Sequence, residues 1–261
     1  MGGRRRLLVA SAVYNNLDLT TKMLDSLKTK HDLRVMLIDN GSKEPITKFI
    51  NDFLARPGTS AIKYLDNKGV AYAWNRAIQH AIDNIKADFV LIVGNDTILS
   101  PVCIDRLVAG AEKHKASLIT GTDYTKQCSK PQSILDFIVP EKEIITECPD
   151  FSCFMIRTEA VKELAEKEHE NEKRPGLFDE KFFPAYFEDN DYHYRLQLAG
   201  LKAIKTNQAS FYHYGSATKK RNPEIANQVS MTYWDNEAYF CAKWGGKPGN
   251  EKLKVPNKLW I

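Results

Sequence analysis

The stretch Phe89-Val-Leu-Ile-Val-Gly-Asn-Asp96 decides the fold: five apolar residues in a row, stopped abruptly by a glycine and two polar groups. A strand with one wet face alternates apolar and polar residues, whereas a strand covered on both faces does not. Phe89 to Val93 therefore predicts a strand inside a parallel sheet. The same texture recurs upstream. Leu7-Leu-Val-Ala-Ser-Ala-Val13 runs into Tyr14, Asn15 and Asn16; Arg34 to Ile38 runs into Asp39-Asn-Gly-Ser42; Ala61 to Leu65 runs into Asp66-Asn-Lys-Gly69. Helical patterns separate these strands. The first puts Leu17, Thr21, Leu24 and Leu27 on one face, the second covers Ile46 to Leu54, and the third carries Val70, Ala73, Trp74, Ala77, Ile78, Ala81, Ile82 and Ile85. Strand and helix in alternation predict an α/β fold with a Rossmann-like, mostly parallel central sheet and right-handed crossovers. Ligands of such sheets sit at the carboxyl ends of the strands, which here carry Tyr14, Asn15, Asp39, Asn67 and Asp96.

Beyond Asp96 the pattern is less regular. Ser117 to Thr120, Phe151 to Ile156, Ala203 to Thr206 and Ser210 to His213 read as strands. Thr158 to Glu172 reads as a charged surface helix, Asp189 to Ala199 as a shorter helix, and Pro223 to Lys243 as an amphipathic one bearing Ile225, Val229, Tyr233 and Phe240. Without a repeat or linker, the expectation is one unit over 1–261. It comprises a nucleotide-binding half (about 7–100), a smaller metal and acceptor half (about 101–221), and a C-terminal helix and tail (about 222–261).

Composition narrows the function classes. The chain has 261 residues, 43% hydrophobic, with a net charge of +4 and acids and bases mixed throughout, which permits an anionic ligand without indicating nucleic acid. Five cysteines with no C-x-x-C pair argue against a zinc site or a disulfide framework and suggest reduced thiols in a cytoplasm. Leu7 to Val13 is too short for a signal sequence, and no run approaches the roughly 18–20 apolar residues of a membrane span. Contact with a membrane would be peripheral. No Walker A, G-x-G-x-x-G, H-E-x-x-H or G-x-S-x-G pattern is present.

Three groups could carry chemistry. Asp96 closes a buried strand, where a carboxylate needs a cation or hydrogen-bond donors in compensation. A divalent ion on a diphosphate needs only one or two protein carboxylates, although Asp96 could equally cap a helix or turn a loop. Glu188-Asp-Asn-Asp191 lies among Phe182, Phe183, Tyr186, Phe187, Tyr192 and Tyr194; apolar walls would make these carboxylates stronger bases, or the acids could simply favour a helix N-terminus. Arg195 lies four residues after Asp191, the spacing of an ion pair along a helix. His213 closes a strand ahead of Lys219, Lys220 and Arg221, suiting a metal ligand beside a diphosphate clamp, or a structural histidine beside a solvated loop.

These signals occur in an ordered series: VASAVYNN (9–16), VMLIDNGS (35–42), YLDNKGVAYAWNRAI (64–78), LIVGNDTILSP (91–101), LFDEKFFPAYFEDNDYHYRLQLAG (177–200), FYHYGSAT (211–218) and YFCAKWG (239–245). The series resembles the family 2 glycosyltransferases of the GT-A fold, particularly their rhamnosyltransferase-like branch. The resemblance implies an inverting enzyme that moves a sugar from a nucleotide-diphosphate sugar to an acceptor hydroxyl, assisted by Mn2+ or Mg2+. Tyr14, Asn15 and Asp39 would hold base and ribose, and Asn67, Gly69, Asn75 and Asn95 would line the nucleotide-sugar pocket. Lys219, Lys220 and Arg221 would meet the diphosphate. Asp96 would be the metal-binding residue of the D-x-D position, here Gly94-Asn95-Asp96 without its first carboxylate, and His213 a further metal or phosphate contact. Asp189 would be the general base, Glu188 its neighbour, with Asp191 and Arg195 supporting them.

The acceptor is expected to be a carbohydrate or another hydroxyl compound, stacked on Phe151 to Phe154 or on the 182–194 aromatics unless those are core; Trp74 and Trp244 read as packing. Two other readings stand beside this one. An inactive glycosyltransferase-like module would bind a sugar or a protein without turnover. A sugar-nucleotide nucleotidyltransferase would need a Gly-rich basic loop where Tyr14-Asn-Asn16 stands.

Overall fold

The computed structural model describes residues 3–43, 46–168, 170 and 172–257. Residues 1, 2, 44, 45, 169, 171 and 258–261 lie outside it, and with them two positions of the 158–172 stretch and the end of the tail.

Strands β1 (Arg6–Val13), β2 (Asp32–Asn40), β3 (Thr59–Tyr64) and β4 (Phe89–Val93) are parallel neighbours in the order β3-β2-β1-β4. The sheet continues through β8 (Cys153–Arg157), β6 (Leu118–Asp123), β9 (Ala203–His213) and β5 (Thr97–Leu99), with β7 (Ile145–Thr146) paired to β9. β1, β2, β3, β4, β6 and β9 run one way and β5, β7 and β8 the other, so the sheet is mostly parallel.

The unbroken apolar runs are explained by two cores, one on each face. Leu7, Val9, Val13, Phe89, Leu91, Val93, Cys153 and Met155 point into one; Leu8, Ala10, Val90, Ile92, Phe154 and Ile156 point into the other. Helices α1 (Leu17–Ser26), α2 (Thr47–Leu54) and α4 (Cys103–His114) close the first core, contributing Met23, Phe53, Ile104, Leu107 and Val108. Helices α3 (Val70–His80), α5 (Thr158–Lys167) and α6 (Glu188–Leu198) close the second with Ala73, Ala77, Ile78, Leu164, Tyr192 and Leu196. The short α7 (Ala217–Arg221) leads into α8 (Pro223–Trp244), which begins on a proline and stops at Gly245, whose φ of 74° ends the helix. Phe240 and Trp244 of α8 join Phe182 and Phe187 in a third, smaller core.

Several expectations need correction. The buried face of α1 is Leu19, Thr20 and Met23, with Leu24 and Leu27 at its edge and Thr21 exposed. Thr97 starts a strand rather than a helix, and α4 was not foreseen. The two strands expected at 203–206 and 210–213 are one, because β9 keeps pairing with β6 across an irregularity in register. Lys219, Lys220 and Arg221 form the last turn of α7 rather than a loop. The charged helix ends at Lys167, and Glu172 beyond it is buried, where its carboxylate lies 3.0 Å from Lys243 Nζ without hydrogen-bond alignment.

Candidate functional site

A cleft of about 420 Å³ opens over the carboxyl ends of β1, β2 and β4 and is closed on its far side by the α6 N-terminus, the end of β9, α7 and α8. Of the residues singled out from sequence, Tyr14, Asn67, Asn95, Asp96, Glu188, Asp189, His213 and Lys219 line it.

The pairing of β5 with β9 sets Thr97 opposite His213, which brings the imidazole beside Asp96. His213 Nε2 lies 3.2 Å from Asp96 Oδ1, and Asp96 Oδ2 accepts the Ala217 N–H at 3.2 Å. Burial works against the charge on Asp96, but the hydrogen bond and charge of His213 and the Ala217 N–H outweigh it and hold the carboxyl below its ordinary value. Burial likewise opposes the imidazolium, yet Asp96, with Asp123 and Asp150 farther off, raises the His213 pKa. The two shifts agree: this is an ion pair. A Cβ at Gly94 would lie 3.1 Å from Asp96 Oδ1, so a side chain there would crowd this carboxylate, and the cleft has one acid where a D-x-D sequence has two.

Asp96 and His213 offer one carboxylate oxygen and one imidazole nitrogen to the same space. That donor set fits a divalent ion whose remaining positions come from a diphosphate and water, provided His213 gives up its proton. Among the described residues no group of three or more His, Cys, Asp or Glu side chains is placed to hold a metal without such help.

The opposite wall begins with Tyr186 and Phe187, whose φ angles of 79° and 74° are strained for side-chain-bearing residues. Asn236 of α8 compensates, its Nδ2 lying within hydrogen-bond range of the carbonyls of Ala185 (3.0 Å), Phe183 (3.3 Å) and Tyr186 (3.3 Å). The bend delivers Glu188 and Asp189 to the cleft. Glu188 is 4% exposed; burial, then the neighbouring Asp189 charge, push its carboxyl well above the ordinary range, and its Oε2 has no hydrogen-bond partner. Asp189 is part-buried, with Oδ1 accepting the Asn190 N–H at 2.9 Å; burial raises its pKa, and Asp150 adds to the rise.

Other assignments move away from the cleft. Asp191 is fully buried, bonded to Arg195 Nε (2.9 Å), Lys243 Nζ (2.9 Å) and Trp244 Nε1 (2.7 Å), so it has no face toward a substrate. The Asp191–Arg195 ion pair along the helix does form. Asn75 is fully buried and spent on the Phe178 backbone (2.8 Å each way) and Glu180 (2.9 Å). Gly69, at φ 87°, makes room for protein rather than ligand, since a Cβ would meet Phe183 Cδ2 at 3.0 Å and the Pro184 carbonyl at 3.2 Å. Arg221 pairs with Asp18 at 2.7 Å on the outside, and Lys220 is exposed outside the cleft.

Asn15 ties loops together, accepting the Lys43 N–H (2.8 Å) and donating to Asn222 Oδ1 (2.5 Å). Asp39 is fully buried and does not line the cleft; one oxygen accepts the Ser42 N–H at 2.9 Å and Oδ2 has no hydrogen-bond partner. Of the aromatics expected to stack a sugar, Phe154, Phe182 and Tyr192 are core, while Phe151 and Tyr186 reach the cleft. Trp244 packs as expected; Trp74 packs edge-on against Phe154 and Phe178 but also lines the cleft.

Two residues escaped the sequence reading. Asp150 lines the cleft, and its charge is felt by both His213 and Asp189. Its signal was present: a Pro-Asp turn immediately ahead of an apolar strand, the mirror of Asp96 after one. Asn236 lacked such a signal, being one polar residue in a long amphipathic helix.

The model of glycosyl transferase family 2 matches residues 9–165, more than half of the chain. The chain belongs to glycosyl transferase family 2. This family 2 chain is 28% identical over 112 residues to an undecaprenyl-phosphate 4-deoxy-4-formamido-L-arabinose transferase of Edwardsiella ictaluri (strain 93-146), a match covering 40% of this chain and about a third (33%) of that relative. Its fold is that of GT-A glycosyltransferase structures. Similar structures include S. aureus TarS 1-349 (TM-score 0.54, 17% identity, 80% of this chain and 60% of that one). A mannosyltransferase, PcManGT from Pyrobaculum calidifontis in complex with GDP-Man and Mn2+, is similar at TM-score 0.57 and 15% identity, over 81% of this chain and 57% of that one. GalNAc-T7 with UDP, GalNAc and Mn2+ is similar at TM-score 0.63 and 15% identity, over 92% and 50%. At these identities the likeness shows the fold alone. Among the described residues no helix is long and apolar enough to cross a membrane.

Proposed function

We propose that the chain is an inverting glycosyltransferase that moves a sugar from a nucleotide-diphosphate donor to an acceptor hydroxyl, with Asp189 as general base. The observation that carries this reading is that the Asp96–His213 pair and Asp189 line one cleft at the carboxyl ends of the strands. The relatives crystallised with GDP-Man and Mn2+, or with UDP, GalNAc and Mn2+, support a nucleotide sugar and a divalent ion as the family's ligands. The motif order read from the sequence supports the rhamnosyltransferase-like branch, and the whole chain is proposed as one catalytic unit.

In this reading Tyr14, Asn67 and Asn95 border the donor. Asp96 and His213 would hold Mn2+ or Mg2+ against the diphosphate; the ion, when bound, neutralises charge on the leaving group. Lys219 adds a cation at the same wall. Asp189 takes the proton from the acceptor hydroxyl as the oxygen forms its bond to the anomeric carbon. The bond from that carbon to the phosphate oxygen breaks, and its electron pair leaves with the nucleoside diphosphate. Attack opposite the leaving group inverts the anomeric centre. Glu188 lines the cleft beside Asp189, with burial and then the Asp189 charge pushing its carboxyl well above the ordinary range.

The test is a thermal-shift panel of UDP, GDP, dTDP and their sugars with and without Mn2+ or Mg2+, followed by turnover of the stabilising donor. One nucleotide should stabilise the chain, more so with metal, and Asp96→Ala should remove the metal's contribution. Asp189→Asn should lower turnover by about 10²–10⁴-fold while donor affinity changes little. Wild-type turnover in Asp189→Asn would remove the base. Stabilisation without turnover of any donor would favour the binding-module reading, to which the missing carboxylate at Gly94 lends itself.

A further inference from the structure

A second groove, of about 390 Å³, leaves the cleft along α8 and is lined by Tyr186, Lys219, Val229, Ser230, Tyr233 and Trp234. Three of these, Tyr186, Lys219 and Val229, line the cleft as well, so the two spaces adjoin. We propose that this groove is the subsite for the next sugar residue of a linear glycan acceptor whose terminal residue sits by Asp189. The proposal rests on the transferase reading and names the acceptor class for it.

The groove's chemistry selects the ligand. Trp234 is 67% exposed, whereas Trp244, Phe154, Phe178, Phe182 and Phe240 are buried. Tyr233 props the Trp234 ring at 5.3 Å and 87°, and Met231, three residues back on the same helix face, is also exposed. A large indole held open to solvent at the mouth of a cleft offers an extended π face. The C–H face of a pyranose is apolar and weakly positive, which matches the negative face of an aromatic ring. Its hydroxyls would meet Ser230 and Lys219 at the rim.

Charge excludes the alternatives. No carboxylate lines the groove, so it does not suit a cationic peptide. Its one cation, Lys219, already donates to Tyr186 Oη at 3.0 Å and stands at the junction with the cleft. Exposed Asp235 stands beside Trp234, while Glu224 is paired with Lys43, and the vesicle arm of the test below separates a glycan from a lipid surface. A neutral, hydroxyl-rich, flat-faced polymer is what remains. Because both spaces share a wall, such a chain can lie along α8 while its end reaches the base.

The test uses the whole chain and gluco-, manno- and chito-oligosaccharides of one to four residues, read by tryptophan fluorescence and by calorimetry. At least one series should bind, with the tetramer about tenfold tighter than the monomer. Trp234→Ala should remove that length dependence. Trp234→Phe should keep it in calorimetry while losing the fluorescence change. Absence of length dependence in every series, or length dependence that survives Trp234→Ala, overturns the proposal. So does an emission shift with phosphatidylcholine–phosphatidylglycerol vesicles and none with saccharides. Turnover of nucleotide sugars by the wild-type chain is recorded in parallel. No turnover with Trp234-dependent oligosaccharide binding refutes the transferase reading and leaves the groove as a glycan site.

Discussion

Replacing Lys243 by methionine tests whether the α6 wall of the cleft stands on buried charge. Lys243 has no exposed surface, and its Nζ lies 2.9 Å from Asp179, 2.9 Å from Asp191 and 3.0 Å from Glu172. Arg195 is the other buried cation, bonded to Asp191 and to Glu168 at 2.7 Å. Methionine fills similar volume but leaves these carboxylates sharing one cation. Removing one partner of a buried ion pair costs about 3–5 kcal/mol, because the other charge stays desolvated. At about 2–4 °C per kcal/mol for a chain of this size, the melting midpoint should fall by about 10 °C at neutral pH. The pH dependence gives the sharper test. Burial alone would raise the Asp179 pKa, but the charge and hydrogen bond of Lys243, with the Tyr239 hydroxyl, depress it. A depressed carboxyl contributes stability above its unfolded value, about 3.9, and loses it as pH falls through the folded value. Without Lys243 the sign reverses: burial raises the folded pKa, and stability is lost as pH rises past about 4. The deficit of Lys243→Met should therefore be widest at neutral pH and shrink toward about pH 5. Calorimetric melts of both proteins across that range provide the assay. A midpoint within about 2 °C of wild type at neutral pH, or a deficit that does not vary with pH, would refute the reasoning.

Asn236→Ala removes the donor shared by the three carbonyls of the 183–186 bend, and should lower kcat about 10–100-fold while nucleotide affinity changes little; equal losses in both, read from steady-state kinetics and nucleotide titration, would mean the bend serves donor binding instead. Gly69→Ala imposes a Cβ at φ 87° against Phe183 and Pro184, and denaturant unfolding should show a loss of about 1–3 kcal/mol. The pH–rate profile should fall on the acid side through a pKa above the ordinary carboxylate value, since burial raises Asp189 and only its ionised form accepts a proton; a limb at or below about 3.9 would point to another base.

The parallel half of the fold was legible because its strands are buried on both faces, so Leu7 to Val13 and Phe89 to Val93 admit no polar alternation. The second half mixes antiparallel strands with turns. Its β5 is only Thr97–Leu99, fixed by pairing with β9 across more than a hundred residues, which local sequence does not record. The site shows the same division. Asp96, His213, Glu188 and Asp189 were visible because each ends or begins an element, where strand termini and helix N-termini expose side chains to a ligand. Asn75 looked equally suitable beside Gly69, but it faces Phe178 and Glu180, partners more than a hundred residues away. A polar residue's type is local information; the direction in which it is satisfied is tertiary.

Glu188, Asp189 and Asp191 carry that argument furthest, because three carboxyl groups within four residues meet three different fates. All three occupy the first turn of α6, where the helix dipole favours negative charge. Asp191 turns inward onto Arg195, Lys243 and Trp244 Nε1, donors that compensate the burial of its carboxyl group. Glu188 is buried with no cation against it and with Oε2 unpartnered, and burial, then the adjacent Asp189 charge, push its carboxyl well above the ordinary range. Asp189 lies between these limits, part-buried and open to the cleft, with its pKa raised by burial and by Asp150. A base needs that intermediate state. Deeper burial, as at Glu188, pushes the carboxyl well above its ordinary range, where less of it is ionised to accept a proton. The buried cations of α6 and α8 thus act from behind the wall: Arg195 and Lys243 hold Asp191 inward, away from the cleft that Glu188 and Asp189 line.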